Sequence, residues 1–220
     1  MKEKIFSLFI LLVISFACYA QDGKLVGKSI GVIGDSYVKN HKDPIEYTWH
    51  YKFAKKQKME YHNFGRNGNC ISFDHPRFGE AMYKRYTTMP DSLDYIIVIA
   101  GHNDTAILDS IGGIDVFKER MSILCEGLVN KYPAANIFFF TRWTCENFSG
   151  SNAEKIIDAM IEVCGYYSIP IFDAARKGGM FAGNESFRTL YFQRRSDNAH
   201  LNANGHTRFL KVAENFILQY

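Results

Sequence analysis

Apolar positions along this 220-residue chain alternate between two rhythms. Short apolar runs occupy residues 29–33 (SIGVI), 95–100 (YIIVIA), 136–140 (NIFFF) and 169–172 (IPIF), with a more mixed run at 59–64 (MEYHNF). Such runs, rich in β-branched and aromatic residues, read as strands, and the unbroken ones as strands covered on both faces. Between them apolar residues recur three and four apart, the helical period. Ile45, Trp49 and Phe53 follow Asp43-Pro44, an N-cap with proline in the first turn, so a helix is expected from that point. Phe117, Met121, Leu124 and Leu128 form a second helical stripe, closed by Pro133. Ser151 and Glu154 have capping-box spacing and open a third helix, with Ile157, Met160, Ile161 and Cys164 inward. Phe209, Val212 and Phe216 mark the last. Strands alternating with helices imply an α/β fold, a mainly parallel five-stranded sheet between helical layers. Ligands in such folds bind at the carboxyl ends of the strands.

The first twenty residues break this rhythm. Lys2 and Lys4 precede a nearly unbroken apolar run over residues 5–17, and Cys18-Tyr19-Ala20 puts small residues three and one places before Gln21. This reads as a secretory signal cleaved after Ala20, leaving residues 21–220 as one domain exported to the periplasm or the exterior. The run is shorter than the ~20 apolar residues a spanning helix needs, so no transmembrane segment is expected in the mature chain. A lipoprotein signal with Cys18 acylated is the weaker alternative, because Ser15 and bulky Phe16 precede the cysteine.

Four cysteines remain after cleavage: Cys70, Cys125, Cys145 and Cys164. An exported protein permits disulfides among them, but their wide spacing does not resemble a disulfide scaffold. Cys164 on an apolar helix face and Cys125 beside one read as buried thiols. No CxxC pair or HExxH motif points to a metal, and no cofactor is expected. A net charge of +3 with dispersed Lys and Arg argues against a nucleic-acid partner.

Candidate chemistry lies just past the expected strands. Gly34-Asp35-Ser36 follows the first, placing a serine hydroxyl at the sheet's carboxyl edge. Asn63-Phe64-Gly65-Arg66-Asn67-Gly68 ends the second, where Gly68 offers an unobstructed backbone N–H. Gly101-His102-Asn103-Asp104 follows the third, where Asn103 offers an amide. Asp197-Asn198-Ala199-His200 precedes the last helix, with a carboxylate three residues from an imidazole. A serine, three N–H donors (the backbone N–H of Ser36 with those of Gly68 and the Asn103 amide) and an Asp–His pair are the parts of a serine esterase. Taken singly, each block also reads as an ordinary turn or helix cap.

In their order, these blocks resemble the signature of the SGNH hydrolases, also called the GDSL esterase/lipase family. The resemblance spans essentially the whole mature chain. Tyr37 stands where leucine is common, and Leu201-Asn202 replaces a frequent proline after the histidine. The resemblance implies a three-layer α/β/α sandwich of flavodoxin-like type. It implies Ser36 as nucleophile, His200 as base and Asp197 as its orienter, with the N–H of Ser36, Gly68 and Asn103 forming an oxyanion hole. The expected substrate is a small-molecule or oligosaccharide ester with a short acyl group, preferably acetyl; the alternatives are a lipase or lysophospholipase of the same fold, or a non-catalytic carbohydrate-binding or interaction module on it.

Other residues compete for roles. Tyr37, His102 and Trp143 are candidate substrate contacts, Trp143 as a platform for a sugar ring. Arg188, Arg194 and Arg195 could meet an anionic substrate, though a solvated loop is their default. Gly27-Lys28-Ser29-Ile30-Gly31 mimics the GxSxG elbow, but Ser29 enters a strand rather than leaving one. His206 is a rival base without an aspartate at matching spacing, and a packing role is expected for it.

Overall fold

The computed structural model describes residues 25–220, so the expected signal segment lies outside the described residues. Five strands form one all-parallel sheet: β1 (Ser29–Gly34), β2 (Glu60–Gly65), β3 (Tyr95–Ile99), β4 (Asn136–Phe140) and β5 (Ile171–Phe172). Their spatial order is β2-β1-β3-β4-β5. The helices are α1 (Ser36–Lys39), α2 (Trp49–Lys56), α3 (Met82–Arg85), α4 (Asp104–Ile107), α5 (Ile114–Lys131), α6 (Asn152–Tyr166), α7 (Ala174–Lys177), α8 (Glu185–Tyr191) and α9 (Ala203–Ile217). Among the described residues no helix is long and apolar enough to cross a membrane.

Successive strand residues point to opposite faces, and here both faces are buried. Ile97 and Ile99 of β3 pack with Trp49 and Phe53 of α2 and Phe209 of α9. Ile96 and Val98 pack on the other side with Phe117 and Met121 of α5 and Ile156 and Met160 of α6. Each such buried side chain contributes about 1.5–3 kcal/mol of burial free energy. The sheet is thereby sandwiched between two helical layers.

Two helix starts differ from expectation. No helix runs on from Asp43-Pro44: a single 3-10 turn covers Ile45–Tyr47, and α2 begins afresh at Trp49. Thr48 is the cause. Its backbone is extended (φ −65°, ψ 145°) and its hydroxyl accepts from the Tyr51 N–H, as an N-cap does. At α6, the Ser151 hydroxyl accepts from the Glu154 N–H as a capping box requires, but Glu154 Oε2 accepts from the Gly150 N–H at 2.7 Å rather than from Ser151. The four described cysteines are free thiols, and Cys70, Cys125 and Cys164 are buried.

This strand order places a crevice beyond the carboxyl ends of β1 and β3, where the connections diverge to opposite sides. Ser36 follows β1 and Asn103 follows β3, with Gly68 after the neighbouring β2.

Candidate active site

The chain turns sharply after β1. A Cβ on Gly34 would stand 2.2 Å from the Ile99 carbonyl oxygen, so β3 leaves room only for hydrogen there. Asp35 then caps α1, its Oδ1 accepting from the Tyr37 N–H at 2.8 Å, and Ser36 emerges at the sheet edge. Far along the chain, Asp197 folds back on its own turn. Its Oδ1 accepts from the N–H groups of Ala199 (2.8 Å) and His200 (2.9 Å). Its Oδ2 lies 2.9 Å from His200 Nδ1, and His200 Nε2 lies 2.8 Å from Ser36 Oγ. A carboxylate can only accept, so Nδ1 carries the proton and Nε2 is left to accept from the serine hydroxyl. Burial pushes the Asp197 carboxyl up, but the His200 ring and the two N–H donors outweigh it and hold the group at about 2. The carboxylate is therefore charged at any pH where an imidazole could act as a base.

Gly68 adopts φ +72°, and a Cβ there would stand 2.4 Å from the Phe78 ring. Backbone conformation and packing both exclude a side chain. The N–H groups of Ser36 and Gly68 meet no backbone acceptor among the described residues. Asn103 is differently placed: its Nδ2 donates to Asp35 Oδ2 at 3.2 Å and to the Asn69 carbonyl at 3.0 Å. Both amide hydrogens are engaged, so donating to a third group requires yielding one of these bonds.

Of the residues that hold this edge rigid, Arg85 carries no local sequence signal. The buried Arg85 of α3 donates to the Gly34 and Phe64 carbonyls, each at 2.8 Å, and to Asn69 Oδ1 at 2.6 Å. One guanidinium thus ties the ends of β1 and β2 to the loop bearing Gly68. Asp104 accepts from the N–H groups of Ile71 and Ser72 and from the Ser72 hydroxyl, stapling the same loop to the β3 turn. Asp35 is fully buried, and burial raises its carboxyl to about 7 against the opposing hydrogen bond from Tyr37.

A pocket of about 440 Å³ opens over Ser36, lined by His41, Gly68, Phe78, His102, Asn103 and His200 among others. His102 is thus at the site. Burial lowers its ring to about 3, and its Nδ1 lies 3.2 Å from the Tyr37 hydroxyl. Trp143 is not on the rim. It is 2% exposed, its indole N–H donates to the Ala199 carbonyl, and Tyr37 stacks on it at 5.2 Å. The expected sugar platform is therefore covered, and Tyr37, 5% exposed, is the cover rather than an open substrate contact. Both brace the turn carrying His200 from below.

His41 was not foreseen. Its ring stacks on His200 with centroids 4.2 Å apart and planes 16° from parallel. The rival residues lie elsewhere. Ser29 sits in β1 with its hydroxyl donating to Asp94, and His206 is buried with Nε2 3.0 Å from Asn40 Oδ1. Arg188 donates to the Ala182 carbonyl and the exposed Arg195 pairs with Glu185, so among the described residues only Arg194 of that trio has no side-chain partner.

A model of the GDSL-like Lipase/Acylhydrolase family matches residues 32–208. A Lactobacillus plantarum protein of known structure is 22% identical, with a TM-score of 0.76 over 89% of this chain and 99% of that one. LAE5, an alpha/beta hydrolase enzyme from the metagenome of Lake Arreo, is 14% identical, with a TM-score of 0.65 over 88% and 96%. A carbohydrate esterase family 2 enzyme with a carbohydrate binding domain, from Corynascus thermopiles, is 14% identical, with a TM-score of 0.64 over 90% and 67%. At these identities the solved structures speak to the fold. A search of curated proteins finds no match.

Proposed function

This chain belongs to the GDSL-like Lipase/Acylhydrolase family, and from that premise we propose that it is an exported serine ester hydrolase working through an acyl-enzyme. Ser36 Oγ attacks the ester carbonyl carbon while its proton passes to His200 Nε2. The charged Asp197 keeps the Nδ1 proton in place and stabilises the imidazolium. The oxyanion is received by the N–H groups of Ser36 and Gly68, joined by Asn103 once its amide lets go of Asp35. Each such donor is typically worth ~10²–10³ in turnover. The tetrahedral species collapses as His200 returns the proton to the leaving alcohol. Water then attacks the acyl-serine with the same proton traffic, releasing the acid and free Ser36.

The 2.8 Å approach of Ser36 Oγ to His200 Nε2, with Asp197 behind it, is the observation that carries this reading. The preferred substrate is a short acyl ester, acetyl foremost, on a carbohydrate. Among the described residues Phe78 is the only apolar side chain lining the pocket over Ser36, which leaves little to hold a long acyl chain. A family 2 carbohydrate esterase is among the structural neighbours. Residues 21–220 are proposed as one catalytic unit, released from the signal after Ala20; sequencing the N-terminus of the secreted protein checks the cleavage.

The test is hydrolysis of a p-nitrophenyl ester series by the purified protein and its Ser36→Ala variant. Acetate should be the best substrate, and the variant should lose about 10⁵–10⁶ in kcat. Activity retained by the variant removes Ser36 as nucleophile. A preference for long acyl chains replaces the carbohydrate esterase reading with a lipase.

A further inference from the structure

We propose that the alcohol part of the substrate is an acidic oligosaccharide, bound through its carboxylate along a basic groove leading away from Ser36. The inference rests on the hydrolase reading above. The pocket over Ser36 adjoins a second of about 320 Å³, and the two share Asn67, Arg77 and Phe78. Lys42 lines the first, Arg66 the second and Arg77 both. All three are exposed, and among the described residues none forms an ion pair with a carboxylate. Asp43 and Glu80 are close in sequence, but no carboxylate lines either pocket.

Elsewhere on the surface, lysines and arginines that approach carboxylates pair with them, as Lys56 does with Glu214 and Lys118 with Glu162. Three uncompensated cations along one groove make a field that draws an anion and raises its local concentration. The groove is also held in place. His75 and Gly79 close a tight bridge, His75 Nδ1 accepts from the Arg77 and Phe78 N–H groups, and Asp74 Oδ1 accepts from the Ala81 N–H at 2.8 Å. Arg77 therefore projects from a braced turn, with its guanidinium 5.4 Å from the Phe78 ring centroid.

A sugar fits the neutral part of the groove better than a lipid. Phe78 is the only apolar side chain in either lining. Asn67, which lines both pockets, has a buried Oδ1 with no hydrogen-bond partner in the structure. A polyol brings the hydroxyl donor that this acceptor lacks. The acetyl group preferred above carries no charge, so the anion belongs to the alcohol part.

Acetate release from acetylated oligogalacturonide and from a neutral acetylated xylo-oligosaccharide tests the inference, in low and high salt. The wild type should favour the acidic substrate in kcat/KM by about tenfold or more in dilute buffer, and salt should erase most of that preference. In the Lys42→Gln/Arg66→Gln/Arg77→Gln variant the acidic-to-neutral ratio should fall to near one, with Arg77→Gln alone intermediate and melting temperatures confirming folding. Equal rates on the two substrates, or a preference that neither salt nor the substitutions change, overturns the acidic glycan while leaving the hydrolase standing. Faster fatty-acid release from lysophosphatidylglycerol than acetate release from either sugar overturns it in favour of an anionic headgroup. No hydrolysis of any of these or of p-nitrophenyl acetate overturns the hydrolase reading and this inference with it.

Discussion

Two histidines six residues apart end up in opposite circumstances. His200 lies in a loop, half-buried, with a carboxylate on one ring nitrogen and a serine hydroxyl on the other. His206 lies in the first turns of α9, 3% exposed, with Asn40 Oδ1 on one nitrogen and the Trp49 N–H on the other. His200 has a charged partner that can support an imidazolium; His206 has only neutral ones. Burial accordingly holds His206 well below its ordinary pKa, with His50 and Lys52 adding to the effect. What separates the proposed base from a structural peg is the charge its partners can carry, not the residue type.

The largest effects should fall on the His200 side. His200→Ala should cost about 10⁵–10⁶ in kcat with little change in melting temperature, measured on p-nitrophenyl acetate. Asp197→Asn should cost about 10⁴, because an amide in place of the carboxylate lets the imidazole take the wrong tautomer. His206→Ala should do the reverse. Its loss leaves the Trp49 N–H unsatisfied in the core and Asn40 Oδ1 with only a long 3.5 Å contact from Gln193, at about 2–4 kcal/mol, or about 4–16 °C in melting temperature. Were His206→Ala the worse for kcat, the assignment of the two rings would be inverted.

Much of this contrast was legible in advance, because it depends on local spacing. Asp197 three residues before His200 is a turn that a short chain can close on itself, and the strand-end positions of Ser36, Gly68 and Asn103 follow from apolar runs. Arg85 was not legible. It acts across 51 residues on Gly34 and 16 on Asn69, and nothing in Met82–Arg85 distinguishes it from a solvated arginine. Trp143 misled because a residue after a strand can face either layer, and here Tyr37 and Phe209 close over it. Thr48 carries a weaker helix-start signal in sequence than Asp43-Pro44, yet it is the Thr48 hydroxyl that accepts from a first-turn N–H, that of Tyr51.

Acid should sharpen the difference between the two rings. His206 folds neutral, while in the unfolded chain it takes a proton below about pH 6.5. The unfolded state then binds more protons than the folded one, so stability falls as pH drops below that value. His50 and His102, each held at about 3 by burial, act in the same direction. Asp35, raised to about 7, acts oppositely between about pH 7 and 4, since its folded form takes the proton first. Chemical denaturation of wild type and His206→Gln from pH 8 to 5 separates these. The variant's acid slope should be shallower by as much as one proton, about 1.4 kcal/mol per pH unit. An unchanged slope means that His206 is not folded in its neutral form.

The two histidines are also joined. His206 holds Asn40, whose φ of +64° is followed by +51° at His41. Two successive left-handed residues other than glycine need support. Asn40 receives it by donating to the Pro44 carbonyl at 2.6 Å and accepting from Gln193, while Asn67 donates to the His41 carbonyl at 3.3 Å. The product of this turn is the His41 ring laid flat on His200. His41 is kept below its ordinary pKa by burial first and by His200 next, with Lys42 and Arg194 adding to the shift and Asp197 opposing it. A neutral ring on that face limits rotation of His200 without repelling the imidazolium that the proposed mechanism forms. Stacked pairs of this kind are worth about 0.5–1.5 kcal/mol, so His41→Ala should lower kcat about two- to tenfold. His41→Phe keeps the face and loses the nitrogens, and should recover most of the loss. Equal damage in both variants would assign the effect to the His41 nitrogens and cut the link from His206 through Asn40 to the base.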